Sequence, residues 1–274
     1  MNTLLVVLGL AVAIGAAARS TWSPCGLSML SSITPLAERG RGHRYRTTVA
    51  WFITGALAGG CALGVLGALF AVGVRSLGPS LDVVLAIGAA ASLVAFTSDL
   101  ELFGFRLPIH HRQVNERWLD QFRPWVYGVG FGFQIGMGLA TYIMTAALYL
   151  LLVVSALTQS VALCLILGAV FGLVRGLAVL LGRNIKDPES LRSFHRRFSA
   201  IGPKIRLLTV AIESSCAVAF VMALWESDLL AILAGAVVGT AIYLTKAGGL
   251  LRGGVASTDS VRPDPIPTST AGGA

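Results

Sequence analysis

Hydrophobic residues along this chain do not alternate or follow an amphipathic stripe. They form long, nearly unbroken apolar runs separated by short polar stretches. The runs cover 3–35, 47–74, 81–99, 127–157, 161–182, 206–225 and 229–247. Each has the ~20 apolar residues needed to cross a hydrocarbon core of about 30 Å. The pattern predicts an all-α polytopic membrane protein with about seven transmembrane helices. Composition agrees: of 274 residues, 55% are hydrophobic and 12% are charged, against about 25% charged in a soluble domain. Mean hydropathy is +0.78. These values exclude a soluble enzyme, a disulfide-rich secreted scaffold and a nucleic-acid module.

The net charge of +8 is explained by where the basic residues fall. Arg39, Arg41, Arg44 and Arg46 follow the first run, and Arg106, Arg112, Arg117 and Arg123 follow the third. A basic stretch from Arg183 to Arg206 follows the fifth, and Lys246, Arg252 and Arg262 lie at the end. Of the 21 basic residues only Arg19, Arg75 and Arg175 lie elsewhere. Positive loops mark the cytoplasmic side. The expectation is therefore a multi-pass protein of the cytoplasmic membrane, N-terminus outside and C-terminus inside, which requires an odd number of spans. The surplus charge reads as topogenic, with attraction to membrane lipid and no nucleic-acid partner. A cleaved signal peptide is not expected: Ala16, Ala17 and Ala18 offer small residues, but Met1-Asn2-Thr3 has no basic residue before them. Residues 1–248 form the transmembrane domain on this reading. Residues 249–274, rich in Gly, Ser, Thr and Pro, form a disordered cytoplasmic tail.

The first run is too long for one straight helix, at about 50 Å for residues 3–35. Its middle reads Arg19-Ser20-Thr21-Trp22-Ser23-Pro24-Cys25-Gly26. Polar residues and a proline at that depth predict a break, tolerated only inside protein or against a wet cavity. Ser23 is a suitable N-cap for a second half-helix, and Pro24 suits its first position. Cys25 then falls at the second position, at the positive end of the helix dipole, where cysteine thiols are reactive. The alternative is a proline kink with a small apolar residue beside it.

The chain also resembles itself. Residues 53–69 can be laid on 166–182, so that Gly55 meets Gly168, Ala56 meets Ala169 and Gly59 meets Gly172. Both stretches carry the small-xxx-small spacing of closely packed membrane helices. The repeat is three spans long, about 3–99 and 127–225, with the span at 229–247 as an addition. Its copies start on opposite sides of the membrane, which is the inverted-repeat plan of many transporters.

Ser23-Pro24-Cys25 in an N-outside first span, followed by a basic loop and a small-residue second span, resembles the CcdA/DsbD family of membrane thiol–disulfide transporters. The resemblance implies two inverted three-helix units and two membrane cysteines, one each in the first and fourth spans. It further implies a cytoplasmic thioredoxin-like donor, an extracytoplasmic thiol acceptor and a role in cytochrome c maturation. Cys25 matches the first cysteine. The fourth span reads Gly136-Met137-Gly138-Leu139-Ala140-Thr141-Tyr142-Ile143-Met144, with neither Pro nor Cys. A partner thiol must come within about 4.4–6.8 Å, Cα to Cα, to form a disulfide. Cys61 in the second span and Cys216 in the sixth are the candidates, with Cys164 weaker.

Arg19, Arg175 and Glu213 lie inside predicted spans, where a charge costs about 2.5–3.5 kcal/mol to insert. Opposite signs predict Glu213 pairing with Arg19 or Arg175. Glu213 and Cys216 share a helix face, so Glu213 could accept a proton in thiol chemistry. Thr141 and Tyr142 are candidate polar ligands in the fourth span, whereas Asp82 and Asp99 read as interfacial. The histidines (His43, His110, His111, His195) fall in predicted loops, and no metal site is expected. No cofactor motif is present. Two functions follow: passage of reducing equivalents by an oxidoreductase-like membrane protein, or transport of a small solute or ion through a midplane polar site.

Overall fold

The computed structural model describes residues 2–108, 121–225 and 227–256. Its helices are α1 (Asn2–Thr21), α2 (Pro24–Ser32), α3 (Pro35–Gly40), α4 (Tyr45–Leu77) and α5 (Leu81–Leu100). They continue as α6 (Pro124–Met137), α7 (Ala147–Leu157), α8 (Val161–Leu177), α9 (Pro188–Met222) and α10 (Asp228–Ala256). Among the described residues there is no strand. Six helices are long and apolar enough to cross a membrane, within Thr3–Thr21, Tyr45–Leu77, Leu81–Leu100, Val161–Gly182, Pro188–Met222 and Asp228–Ala247.

The sequence predicts one span at 127–157, but the structure divides it into α6 and α7. Gly138 ends α6 at φ +72°, a backbone conformation that a side chain would strain. Residues 138–146 are not helical. The predicted basic loop at 183–206 is mostly the first half of α9. Asp187 and Ser190 form a capping box at its start, with Pro188 at its first turn. Phe198 turns inward while Arg192, Arg196, Arg197 and Lys204 stay exposed. The charge marks contact with water, not loss of helix. α10 continues through Ala256, past the predicted start of a disordered tail at 249. Residues 257–274 and His110–His111 lie outside the described residues.

Glycine determines how the bundle closes. α4 runs between α6 and α8. Gly55 and Gly59 lie against the α6 backbone at Val129 and Phe133, while Gly60 and Gly64 lie against α8. Thus the matched glycines serve different interfaces: Gly168 and Gly172 meet Gly60 and Gly64, not Gly55 and Gly59. A Cβ on Gly172 would fall 2.7 Å from the Gly60 Cα, backbone against backbone. Such approach is what small residues permit between membrane helices. We expect Gly172→Val to abolish recovery of folded protein, since neither backbone can yield without parting the helices. Gly73→Ala, on α4 with nothing within 4 Å, is the control. It should be neutral or gain up to about 1 kcal/mol of helix propensity. Yield and thermal melting in detergent check both.

Elsewhere α1 packs on α8, α7 and α9, and α5 packs on α9. The main apolar cluster joins Leu4, Leu8, Val12 and Ala16 of α1 to Leu148 and Leu151 of α7, Phe171 of α8 and Phe220 of α9. A second cluster gathers around Phe52, Tyr127 and Phe198.

Candidate functional site

Two helix interruptions define the site. At the first, Ser23 caps α2, its hydroxyl accepting the Gly26 N–H at 3.2 Å, and Pro24 occupies the opening turn. Gly26 leaves room for the Thr21 carbonyl at the end of α1. Cys25 therefore lies in the first turn of α2, buried at 3% exposure. Trp22 is fixed by α9: its ring stacks on Phe198 at 4.4 Å and its indole N–H donates to the Phe198 carbonyl at 2.8 Å. His195 of α9 is hydrogen bonded to Ser31 at 2.9 Å, so it sits on a helix and not in the predicted loop. The first half of α9 thus lies over the break.

At the second interruption the cap comes from another helix. Thr145 accepts the Ala147 N–H at 3.2 Å, and Asp99 of α5 accepts the Ala146 N–H at 2.7 Å and the Thr145 hydroxyl. Asp99 is not an interfacial residue, contrary to expectation: its carboxylate serves the unsatisfied donors and positive dipole of α7. Thr141 is buried, with its hydroxyl on the Gly138 carbonyl at 3.1 Å. Around this break lies a cavity of about 240 Å³ whose lining includes Arg19, Asp99, Glu101, Tyr142, Thr145 and Arg206. Arg206 donates to the Asp99 backbone carbonyl at 2.7 Å and to Glu101 at 2.8 Å. Outside the spans, the hydrogen bond from Arg106 holds the Glu101 carboxyl below the ordinary carboxylate range.

Arg175 of α8 ties the two interruptions together. It is 1% exposed. One guanidinium nitrogen donates to the Ile135 carbonyl near the end of α6 at 2.6 Å, and another to the Ser20 carbonyl near the end of α1 at 3.2 Å. A buried cation therefore serves the carbonyl-rich ends of both broken helices, where the dipoles are negative. Its guanidinium lies 5.8 Å from the Phe171 ring centroid, within cation–π range, and within electrostatic reach of Cys25. Its Nε has no hydrogen-bond partner among the described residues.

The expected ion pair of Glu213 with Arg19 or Arg175 does not form. Glu213 is fully buried against Asp99, and neither of its oxygens has a donor among the described residues. Arg175 is satisfied instead by backbone carbonyls. The four cysteines form no disulfide. Cys216 is fully buried in the main apolar cluster, and the Cys164 thiol donates to the Ser155 carbonyl at 3.2 Å. Cys61 is half-buried on α4. No three His, Cys, Asp or Glu side chains gather as a metal site among the described residues.

One polar centre escaped the sequence reading. Glu38 of α3 is fully buried, accepting hydrogen bonds from Thr48 at 2.5 Å, Tyr127 at 2.8 Å and Arg41 at 3.1 Å. It joins α3 to the starts of α4 and α6. The available signal was a lone acid among Arg39, Arg41, Arg44 and Arg46. Tyr127→Phe removes one donor from a buried carboxylate, and a loss of roughly 1–3 kcal/mol is expected, read as a lowered melting temperature.

The fold and site define a multi-pass helical membrane protein with two interrupted helices fastened by a buried arginine. The chain is similar to the methylamine utilization protein MauF of Paracoccus versutus, 31% identical over 179 residues, covering 64% of each chain. The namesake from Methylorubrum extorquens is 28% identical, over 56% of this chain and 54% of its own length. That of Methylophilus methylotrophus is 29% identical over 216 residues, covering 74% of this chain and 72% of its own. The chain thus spans less than two thirds of the first two relatives. No protein-family model matches it, and no solved structure matches it.

Proposed function

We propose that this chain is a CcdA/DsbD-like protein of the cytoplasmic membrane in which Cys25 exchanges thiols and disulfides. The observation that carries the reading is the placement of Cys25: first turn of a half-helix, inside a membrane break, within electrostatic reach of the buried Arg175 guanidinium. Helix N-termini and neighbouring cations are the settings in which cysteines become nucleophiles. The Cys25 thiolate attacks an extracytoplasmic disulfide, forming a mixed disulfide and releasing one partner thiol. A thiol from a cytoplasmic thioredoxin-like dithiol, directly or through Cys61 or Cys216, then frees Cys25. Two electrons pass from donor to acceptor, and the donor ends as a disulfide.

The packing supports an inverted repeat of α1/α2–α4–α5 and α6/α7–α8–α9, with α6 and α7 together crossing as the fourth of seven spans. The first helix of each unit is broken. Each first helix packs on the other unit's second helix, α1 on α8 and α6 on α4, while the third helices α5 and α9 pack on each other. The basic loops put the N-terminus outside and the C-terminus in the cytoplasm. The similarity to the MauF proteins supports a role in methylamine utilisation in preference to cytochrome c maturation.

A second reading, transport of a small solute or ion, is favoured by the cavity at the second break, with Arg19, Asp99, Tyr142 and Arg206 in its wall. Complementation separates the two in a methylamine-growing strain lacking its own relative of this chain. Thiol exchange predicts that Cys25→Ser fails to restore growth and that Tyr142→Phe restores it. Transport through the cavity predicts the reverse.

A further inference from the structure

The mechanism above makes no use of Glu213, the most unusual buried group in the molecule. Its side chain is completely enclosed on α9, yet neither oxygen receives a hydrogen bond from the described residues. It is aimed at Asp99, within hydrogen-bond reach. Asp99 lines the cavity at the second break and Glu213 lies behind it.

The two carboxyl groups differ in their surroundings. Asp99 takes the Ala146 N–H on one oxygen and the Thr145 hydroxyl on the other, and Arg19 lies within electrostatic reach. Those donors favour a negative charge on Asp99. The Arg206 guanidinium is engaged by the Asp99 backbone carbonyl and by Glu101. Glu213 has no such support. On its own helix Cys216 is its nearest titratable neighbour, and α10 meets the Ser215 side of α9 with Gly235 and Gly239. Two ionised carboxylates at this separation would repel in a low-dielectric setting, so a close pair keeps one proton. A proton on Glu213 also resolves its missing partner: the acid hydroxyl donates to Asp99, which two carboxylates cannot do for each other.

We propose that Asp99 and Glu213 form a proton-binding pair behind the cavity wall. The proton resides on Glu213, the charge on Asp99, and the cavity is the route by which the proton enters and leaves. Any ligand or movement that takes Asp99 away from Glu213 leaves the proton stranded on a buried acid, so proton binding is tied to the geometry of the second break. This inference is independent of the thiol reading.

The test is infrared spectroscopy of the full chain in lipid nanodiscs at neutral pH, reading the carbonyl band of a protonated carboxylic acid. The pair predicts such a band in the native protein, lost in Glu213→Gln, shifted or lost in Asp99→Asn, and unaltered in Cys25→Ser. Glu213→Gln should keep the native melting temperature, because the Gln amide donates to Asp99 as the acid does. If that variant does not fold, the Asp99→Asn spectrum decides. Absence of the band from the native protein, or an unchanged band in folded Glu213→Gln or Asp99→Asn, overturns the proposal.

Discussion

Replacing Arg175 by Met is expected to unfasten both interrupted helices at once. One buried guanidinium satisfies the Ser20 carbonyl of α1 and the Ile135 carbonyl of α6. Hydrogen bonds from a charged group contribute about 1.5–3 kcal/mol each, and Met leaves both carbonyls buried without a donor. Removal of a buried charge from its partners typically costs about 3–5 kcal/mol. The melting temperature of the purified protein should fall clearly below that of the native chain. Arg175→Lys should lie between them, since one ammonium retains the charge but lacks the planar fork that reaches two carbonyls on different helices. The same substitution has a chemical consequence. Without the guanidinium, Cys25 should react more slowly with a water-soluble maleimide, about tenfold for each 1.36 kcal/mol of lost charge stabilisation. A Met variant with native melting and native Cys25 reactivity would show that Arg175 neither fastens the breaks nor activates the thiol.

Cys25→Ser should have the largest functional effect and almost none on folding. Serine keeps the size and the hydrogen-bonding capacity of the position, so α2 and its Ser23 cap remain. The hydroxyl cannot take part in disulfide exchange. Mixed disulfides between this chain and its partners should therefore fall to background. Cys164→Ser should leave them unchanged, because that thiol is held by the Ser155 carbonyl on the far side of α8 from the breaks. Capture of the partner by Cys25→Ser at native levels would end the thiol reading.

The first break was legible in the sequence because its signals are local. A Ser-Pro pair in an apolar run specifies a cap and an opening turn within three residues, and the structure has both. The second break was not legible because its cap is not local. The carboxylate that serves α7 comes from Asp99, 46 residues before Thr145. In sequence that acid looked like the polar end of a span. Gly138 was the local clue, but it sat among other glycines that serve helix contact. Small-residue spacing predicted close helices correctly but assigned the wrong partner faces, since α4 carries two glycine faces, one for α6 and one for α8. Charge sign suggested that Glu213 would find an arginine. Backbone carbonyls at two helix ends proved the stronger claim on Arg175, and a carboxyl group lies beside Glu213 instead. Basic residues predicted exposure correctly in 183–206 and hid the helical period of Leu191, Phe194 and Phe198 beneath it.

The central claim is that Cys25 cycles between thiol and disulfide. The most direct measurement is its oxidation state in intact membranes. Cells are acid-quenched during growth and alkylated with a mass-shifting maleimide before and after reduction, and each modified cysteine is located by mass spectrometry. The account predicts that Cys25 is partly oxidised, in an internal or mixed disulfide that a reductant clears, while Cys164 stays reduced. A Cys25 that remains fully reduced under an oxidising challenge would contradict it.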